Sequence, residues 1–322
     1  MSKKDRVRAY SAFAAVSLFW GTTYLAIRIG VAVLPPALFA GIRFWLAGAI
    51  FMVALLLRGY ALPRKQDLLN LTIVAVALLV IANGTVVWAE QFIPSSLAAL
   101  IVTTLPLCMV LMEAALPRGE KLTLRKVVGI LIGFGGVIIL LWPDLQGSLD
   151  PAYLKGVLII LIAPLSWSAG SIYSKYNKTN TRPLMAAATQ MLIAGTILIV
   201  VGAVNGEIEK FTFETKGLAA LGYLVVFGSM IGYGSFIYAL DKLPAAIVST
   251  YAYLNPIVAV ILGWLILDER LDWPMVFATV IILSGVVLVK QGSPRLKPVV
   301  RPSKVEPELR IGEDGLVTAN EE

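Results

Sequence analysis

The stretch NGTVVWAEQFIPSSLAALIVTTLP (residues 83–106) decides the fold, because the chain repeats it 150 residues later as YGSFIYALDKLPAAIVSTYAYLNP (residues 233–256). Two prolines twelve residues apart align in both copies, together with a glycine near the start of each: Pro94 with Pro244, Pro106 with Pro256, and Gly84 with Gly234. Chance seldom matches two prolines at one spacing in sequence rich in Ala, Leu and Val. We therefore infer an internal repeat.

The repeat extends on both sides of this stretch. Trp20 aligns with Trp167 at an offset of 147 residues, and Glu120 aligns with Glu269 at an offset of 149. The small changes in offset, from 147 to 150 and then to 149, correspond to short insertions or deletions between the copies. The chain therefore consists of two related halves.

The composition places both halves in a membrane. Of the 322 residues, 58% are hydrophobic and 15% are charged, and the mean hydropathy is +0.82. Water-soluble domains carry about 25% charged residues, so a soluble enzyme, a disordered chain and a nucleic-acid binder are all disfavoured. A bilayer-spanning helix needs about 20 apolar residues. Ten apolar segments approach that length, near residues 10–30, 37–57, 68–92, 95–116, 124–142, 154–174, 183–203, 217–239, 245–267 and 273–290.

The basic residues predict the orientation. If the N-terminus is cytoplasmic, 21 of the 27 Lys and Arg residues lie on the cytoplasmic side and four lie in outer loops. This bias follows the positive-inside rule and predicts that both termini are cytoplasmic. We predict a cytoplasmic N-terminus (residues 1–9), a first repeat (10–142), a second repeat (150–290) and a disordered cytoplasmic tail (291–322).

Five helices per repeat is an odd number, so the two repeats enter the membrane in opposite directions. The predicted fold is an all-α integral membrane protein of ten transmembrane helices in two inverted five-helix repeats. Inverted repeats are typical of transporters that open alternately to the two sides around a site near the midplane. Some channels and membrane enzymes also arose by duplication, so the repeat alone leaves those classes open.

Enzymatic chemistry finds little support. The chain has no histidine and one cysteine, Cys108, and it lacks P-loop, G-x-S-x-G and complete G-x-G-x-x-G motifs. We predict no catalytic residues, no metal site and no cofactor. Without an ATP site, transport has to run on a gradient.

Among the charged residues inside predicted helices we single out Arg28, Arg43, Glu90 and Glu113, each of which lies toward a membrane boundary. Charges in membrane helices are costly unless they pair, face water or snorkel to the interface. We predict that Arg43 pairs with Glu90 as an outer gate; a static pair or snorkelling is the alternative. Arg28 is expected to snorkel, and Glu113 to lie at the cytoplasmic edge near Arg118.

These placements leave a predicted midplane without fixed charge. Its polar and aromatic residues form the predicted substrate site: Trp20, Thr23, Tyr24, Asn83, Thr103, Thr104, Trp167, Tyr233, Tyr251 and Asn255. Neutral hydrogen-bonding groups with aromatic walls suit a neutral or zwitterionic molecule with apolar parts. Packing within the bundle is the alternative for any one of them. Pro106 and Pro256 interrupt the backbone hydrogen bonds at matched positions and are predicted hinges, with a tolerated kink as the alternative.

Several stretches resemble the EamA family of the drug/metabolite transporter superfamily. They are FWGTTYLAIRIG (19–30), GIRFWLAG (41–48), LPLCMVLMEAALPRGEKLT (105–123) and YLNPIVAVILGWLILDERL (253–271). RGYALP (58–63), residues 83–100 and LGYLVVFGSMIGY (221–233) look most like its YedA-like inner-membrane branch. The resemblance implies ten helices in two inverted EamA repeats, cytoplasmic termini, and a cavity lined by helices 1, 3, 4, 6, 8 and 9.

Together these features predict a gradient-driven, alternating-access transporter of the bacterial inner membrane. The expected cargo is a small neutral or zwitterionic metabolite, above all amino acids, including aromatic ones, moving outward. Efflux of drugs or toxic metabolites is one alternative, and a membrane enzyme or structural protein without transport is another. The expected partners are a small-molecule substrate and membrane lipid, with no nucleic acid, and a monomer is compatible with the sequence.

Overall fold

The computed structural model describes residues 3–117, 122–146, 150–243, 251–269 and 271–291, together with 310–311 and 317–318. The first repeat contains helices α1 (Lys3–Val31), α2 (Pro36–Leu56), α3 (Lys65–Ala75), α4 (Gly84–Ala89), α5 (Ser95–Val102), α6 (Leu105–Ala114) and α7 (Leu124–Gln146). The second contains α8 (Pro151–Ile160), α9 (Ile162–Tyr176), α10 (Pro183–Val204), α11 (Thr215–Tyr223), α12 (Gly234–Lys242), α13 (Tyr251–Leu267) and α14 (Trp273–Gln291). Two π-helices, π1 (Val76–Asn83) and π2 (Leu224–Tyr233), join α3 to α4 and α11 to α12.

Eight helical segments in the described residues are long and apolar enough to cross a membrane. We number them span 1 to span 8: Asp5–Val31, Pro36–Leu56, Lys65–Ala89, Ser95–Ala114, Leu124–Leu141, Pro151–Tyr176, Pro183–Val204 and Thr215–Phe236. Two shorter apolar helices follow, Leu254–Leu267 within α13 and Trp273–Val289 within α14. The start of the predicted ninth segment, residues 244–250, lies outside the described residues, so ten crossings stay a prediction.

Local sequence explains where several helices begin and end. Pro36, Pro151 and Pro183 occupy first-turn positions, where a missing N–H costs nothing. The Asp150 side chain also accepts a hydrogen bond from the backbone N–H of Ala152, at 3.0 Å. The turn after α2 uses Gly59 at φ 76°, a conformation that favours glycine.

The helices of the two repeats pack against each other in reciprocal pairs. Span 1 lies against span 8 and α13, and the equivalent span 6 lies against spans 3 and 4. The equivalent spans 2 and 7 also pack together, as do span 5 and α14. A two-fold rotation that relates the halves explains these paired contacts, because each contact then has a symmetry-equivalent one.

Glycine contacts between spans 2 and 7 show the relative direction of these two helices. A Cβ on Gly41 would lie 2.7 Å from the backbone nitrogen of Ile199, and one on Gly48 would lie 2.8 Å from that of Leu192. Residue numbers thus rise along span 2 while they fall along span 7, so the two helices are antiparallel. Equivalent helices that run in opposite directions are what an inverted repeat requires.

Backbone irregularities also occur at matched places. π1 ends at Asn83 and π2 ends at Tyr233, which are equivalent at the offset of 150, and a glycine follows each. These π-helices were not among the sequence predictions, because their residues are as apolar as any other helical segment. π-helical turns inside α-helices often mark functional sites.

Little of the predicted tail is described. Gln291 ends α14, and Arg310–Ile311 pairs antiparallel with Val317–Thr318, Arg310 lying opposite Thr318. The rest of residues 292–322 lies outside the described residues, so disorder there stays a prediction.

Candidate substrate cavity

A cavity of about 120 Å³ lies between the two repeats. One buried water needs about 10–15 Å³, so the space is sized for an organic molecule. Spans 1, 2, 3 and 4 of the first repeat line it, as do spans 6, 7 and 8 and helix α13 of the second. The resemblance implied helices 1, 3, 4, 6, 8 and 9; the structure adds spans 2 and 7.

An aromatic cluster forms one wall of this cavity, with Trp20 at its centre. The ring centroids of Tyr251 and Phe236 lie 5.1 Å from that of Trp20, and those of Trp167 and Tyr233 lie at 6.2 and 6.4 Å. The Trp20 Nε1–H donates to the carbonyl oxygen of Gly228 at 3.1 Å, so the indole nitrogen is satisfied within the protein. The cluster therefore presents ring surfaces to the cavity.

The cavity wall also carries a charge. Arg43 lies about 10 Å along α2 from Pro36, and only 4% of its surface is exposed. Its Nε donates to the Ser229 hydroxyl at 3.0 Å, and its Nη1 donates to the Asn83 side-chain oxygen at 3.5 Å. We expected Arg43 at the membrane boundary and no fixed charge in the site. The structure corrects the second expectation, because the guanidinium lines the cavity. The depth of Arg43 in the bilayer stays a prediction.

The second repeat holds a neutral counterpart of this charged pair. RFWLAG (43–48) aligns with QMLIAG (190–195) at the offset of 147, which pairs Arg43 with Gln190. Asn83 is equivalent to Tyr233, whose hydroxyl donates to the Gln190 side-chain oxygen at 3.1 Å. The side-chain bond between spans 2 and 3 is thus repeated between spans 7 and 8, but only the first carries a charge.

Nine of the ten predicted substrate residues line the cavity. They are Trp20, Thr23, Tyr24, Asn83, Thr103, Trp167, Tyr233, Tyr251 and Asn255. Thr104 is not among the lining residues: its side chain is buried and its hydroxyl donates to the backbone oxygen of Ile101 at 2.7 Å. Helix-internal bonding, the alternative considered for such threonines, describes Thr104. Whether the nine residues contact a substrate stays a prediction.

The predicted ion pair between Arg43 and Glu90 is not formed in this conformation. Glu90 is fully buried, and neither of its carboxylate oxygens has a hydrogen-bond partner. Ser229 and Asn83 hold the Arg43 guanidinium in the cavity instead. Arg28, expected to snorkel, donates to the backbone oxygen of Glu90 and leaves the carboxylate unpaired. The prediction of an ion pair is therefore wrong for this conformation: Arg43 binds two neutral side chains, and Arg28 binds a backbone oxygen.

Further polar contacts between the repeats lie at the two ends of the bundle. We call the end where span 3 finishes the Glu90 end and the opposite one the Glu113 end. At the Glu90 end, Glu269 accepts hydrogen bonds from the backbone N–H groups of Ser95 and Ser96 at 2.7 and 3.0 Å, and from the Ser95 hydroxyl at 2.8 Å. At the Glu113 end, Lys175 pairs with Glu113. Arg118, its expected neighbour, lies outside the described residues.

The two predicted hinge prolines have different surroundings. Pro106 lies in the first turn of α6, directly after the turn at Thr103 and Thr104 that separates α5 from α6. Pro256 lies inside the continuous helix α13. Hinge motion at either position stays a prediction.

Much of the cavity wall was not predicted from the sequence. Apolar residues that were passed over are Ile27, Phe44, Leu79, Ala82, Val86, Ala99, Val102, Leu105, Ala163 and Met191, together with Gly228. Nothing distinguishes their side chains from those that face lipid. One signal was present: Phe44 and Met191 are equivalent in the repeat and adjoin Arg43 and Gln190, so the alignment of spans 2 and 7 identifies them together.

Comparison with known proteins identifies the family. The model of the EamA-like transporter family matches residues 7–142 and again residues 154–291. The inner membrane transporter YedA of Escherichia coli (strain K12) is 38% identical over 296 residues, 91% of this chain and 94% of YedA. A protein of the same organism named "Probable amino-acid metabolite efflux pump" is 27% identical over 308 residues, 89% of this chain and 95% of that protein.

The fold has a counterpart among solved structures. A crystal structure with 21% sequence identity superimposes with a TM-score of 0.64 and covers 89% of this chain and 99% of its own. At that identity the likeness shows the fold alone. The chain belongs to the EamA-like transporter family, because the family model matches both repeats and YedA is 38% identical over most of the chain. It is therefore a multi-pass membrane transporter of the drug/metabolite transporter type.

Proposed function

We propose that this transporter exports small metabolites, above all amino acids with apolar or aromatic side chains, by gradient-driven alternating access. The observation that carries the proposal is the cavity between the repeats, which is lined both by the rings of Trp20, Trp167 and Tyr251 and by Arg43. A molecule with an apolar body and a polar head matches both parts. The name of the efflux-pump relative points to the same class of cargo.

Alternating access is supported by the inverted relation of the two repeats. Equivalent spans 2 and 7 are antiparallel, and polar contacts join the repeats at each end of the bundle. Opening one end while closing the other exchanges the conformations of the two repeats. The chain has no ATP-binding motif, so we assign the driving force to a gradient.

We place the protein in the bacterial inner membrane with both termini in the cytoplasm, as the basic residues indicate. Large apolar side chains remain exposed along the helices, such as Leu131 at 68% and Ile138 at 57%. Lipid tails are their natural partners in a bilayer, and no nucleic-acid partner is proposed. Protease accessibility of a C-terminal tag in inverted vesicles tests this orientation.

The test is counterflow into proteoliposomes that hold the reconstituted protein. Liposomes loaded with unlabelled phenylalanine should accumulate labelled phenylalanine from outside, while empty liposomes should not. Aspartate and lysine in the same assay serve as charged comparisons and should exchange poorly. If no labelled amino acid moves in either direction, the proposed cargo is wrong.

Efflux of lipophilic drugs is a second candidate, favoured by the apolar wall of the cavity. Most such drugs are cations, and the buried Arg43 opposes a second positive charge at short range. The same counterflow assay with a labelled lipophilic cation separates the two functions. Faster exchange of the cation than of phenylalanine would favour drug efflux.

A further inference from the structure

We infer that Arg43 recognises a carboxylate and that the amino group of the cargo is not required. The cargo class is then an aromatic or branched apolar carboxylate, of which amino acids are one subset. This inference rests on the proposed function, since it specifies what the same cavity selects. It follows from the charges around the cavity and from the unused donor capacity of Arg43.

The charge balance of the wall gives the first step. Among the described residues that line the cavity, Arg43 is the only charged one, and none is an aspartate or glutamate. A substrate carboxylate therefore finds a cation, whereas a substrate ammonium group finds only neutral oxygens. Charged groups in a low-dielectric cavity interact far more strongly than neutral ones. The cavity wall therefore selects for the carboxylate of a substrate and not for its ammonium group.

The second step is that Arg43 retains an open donor. Ser229 and Asn83 accept hydrogen bonds from Nε and Nη1 of Arg43, but Nη2 donates to no protein atom among the described residues. Gly228 lies beside it: a Cβ at that position would be 3.1 Å from Nη2 and 3.0 Å from the Thr23 methyl group. Any side chain at position 228 would therefore crowd Nη2, and glycine leaves this edge of the guanidinium uncovered. A carboxylate oxygen in the cavity can then accept a hydrogen bond from Nη2.

The third step concerns what holds the guanidinium in place. The Phe44 ring lies 4.9 Å from the Arg43 Cζ, and the two polar partners of Arg43 come from spans 3 and 8. The side chain is therefore held from three directions before any ligand arrives. Pre-organised donors lose little entropy on binding, which favours recognition of a planar anion.

The equivalent position in the second repeat shows how to remove the charge with little risk to the fold. Gln190 occupies that position and accepts the Tyr233 hydroxyl in the same bundle architecture. Arg43→Gln therefore places at span 2 the residue that span 7 already accommodates. Arg43→Lys is the companion variant, since it keeps the charge but loses the planar fork.

The experiment measures binding of four matched ligands to purified protein in detergent by calorimetry. They are phenylalanine, 3-phenylpropanoate without the amino group, 3-phenylpropanamide without the charge, and phenethylamine without the carboxyl group. The wild type should bind the two carboxylates at least tenfold more tightly than the amide or the amine. Removing the amino group should change affinity no more than about threefold.

In Arg43→Gln the preference for carboxylate over amide should fall to within about twofold, while Arg43→Lys should keep part of it. Arg58→Gln, in the exposed turn that follows the same helix, is the matched control and should behave as the wild type. A folded Arg43→Gln protein that keeps the tenfold preference would overturn the inference. So would equal weakening of all four ligands, because a merely structural arginine predicts that result, or a wild type that binds none of them.

Failure here is distinguishable from failure of the proposed function. Carboxylate-selective binding that depends on Arg43, without phenylalanine counterflow, supports the inference and rejects amino acids as cargo. Phenylalanine counterflow with unchanged selectivity in Arg43→Gln supports amino-acid transport and rejects the role of Arg43.

Discussion

Trp20 and Trp167 occupy equivalent positions in the two repeats, and their rings meet edge to face with centroids 6.2 Å apart and an interplanar angle of 83°. Equivalent residues that touch each other across an inverted repeat lie near the axis that relates the two halves. This axis also relates the two conformations that an inverted repeat can exchange. The aromatic wall of the cavity thus lies at the interface between the two halves, close to their symmetry axis.

Truncation of Trp20 should reduce transport more than truncation of Trp167. Trp20 contacts four rings and donates to Gly228, so Trp20→Ala removes the centre of the wall; Trp167→Ala removes one member. Aromatic pairs contribute about 0.5–1.5 kcal/mol each beyond burial. We expect the KM of counterflow to rise about tenfold or more in Trp20→Ala.

Trp264→Ala is the matched control, since this tryptophan is 50% exposed on the outside of α13. Expression and apparent melting temperature should be recorded for all three variants, because an aromatic truncation can also unfold the bundle. Normal kinetics in a folded Trp20→Ala protein would remove the aromatic wall from the binding site.

The fold was accessible from sequence because a repeat and a run of apolar residues are one-dimensional patterns. Trp20, Trp167 and Tyr251 could be assigned to one site because their depths along the helices agree. Depth does not tell which way a side chain points, so Arg43, two turns inside span 2, was assigned to the boundary when it faces the cavity. The π-helices escaped detection because only backbone hydrogen bonding, and no residue type, distinguishes them.

Glu90 should tolerate removal of its charge. Both carboxylate oxygens are buried without hydrogen-bond partners, and an unpaired buried charge is costly. Glu90→Gln keeps the shape and removes the charge, so the apparent melting temperature in detergent should stay the same or rise. A partner removed from a true buried ion pair costs about 3–5 kcal/mol, and a destabilisation of that size would show that Glu90 is paired after all.

A charge exchange tests the same point through transport. Because Arg43 binds Ser229 and Asn83, the double variant Arg43→Glu/Glu90→Arg should not recover the counterflow that is abolished in Arg43→Glu. Recovery to half of the wild-type rate or more would restore the gate hypothesis. Glu90→Gln alone provides the reference for the effect of removing the carboxylate.

Neighbouring glycines on α7 should respond oppositely to the same substitution. A Cβ on Gly136 would lie 2.7 Å from the Ile282 side chain and 2.9 Å from its backbone nitrogen, whereas one on Gly135 meets nothing within 4 Å. Gly136→Ala should push span 5 away from α14 and cost about 1–3 kcal/mol. Gly135→Ala is the internal control and should be neutral or slightly stabilising, because alanine favours helix. Equal melting temperatures for the two variants would contradict the close packing of these helices.

Glu269 should keep the Glu90 end of the bundle closed. It lies beyond α13 in the second repeat, yet its carboxylate accepts three hydrogen bonds at the N-terminus of α5 in the first. Removing a charged cap of this kind costs about 2 kcal/mol. Because Glu269→Ala removes all three hydrogen bonds, a thiol placed in the cavity should become more accessible from the Glu90 end.

The measurement uses a Cys108→Ala background with Thr103→Cys in the cavity wall and a membrane-impermeant maleimide. Cys108 is the only cysteine of the chain, so its removal leaves one reporter. Glu269→Ala should raise the labelling rate several-fold, while Glu209→Ala, an exposed carboxylate in a loop at the same end, should leave it unchanged. If Glu269→Ala lowers the melting temperature without faster labelling, the carboxylate stabilises α5 but does not close the cavity. Faster labelling in both variants would trace the effect to surface charge, because Glu209 makes no contact across the repeats that the structure describes.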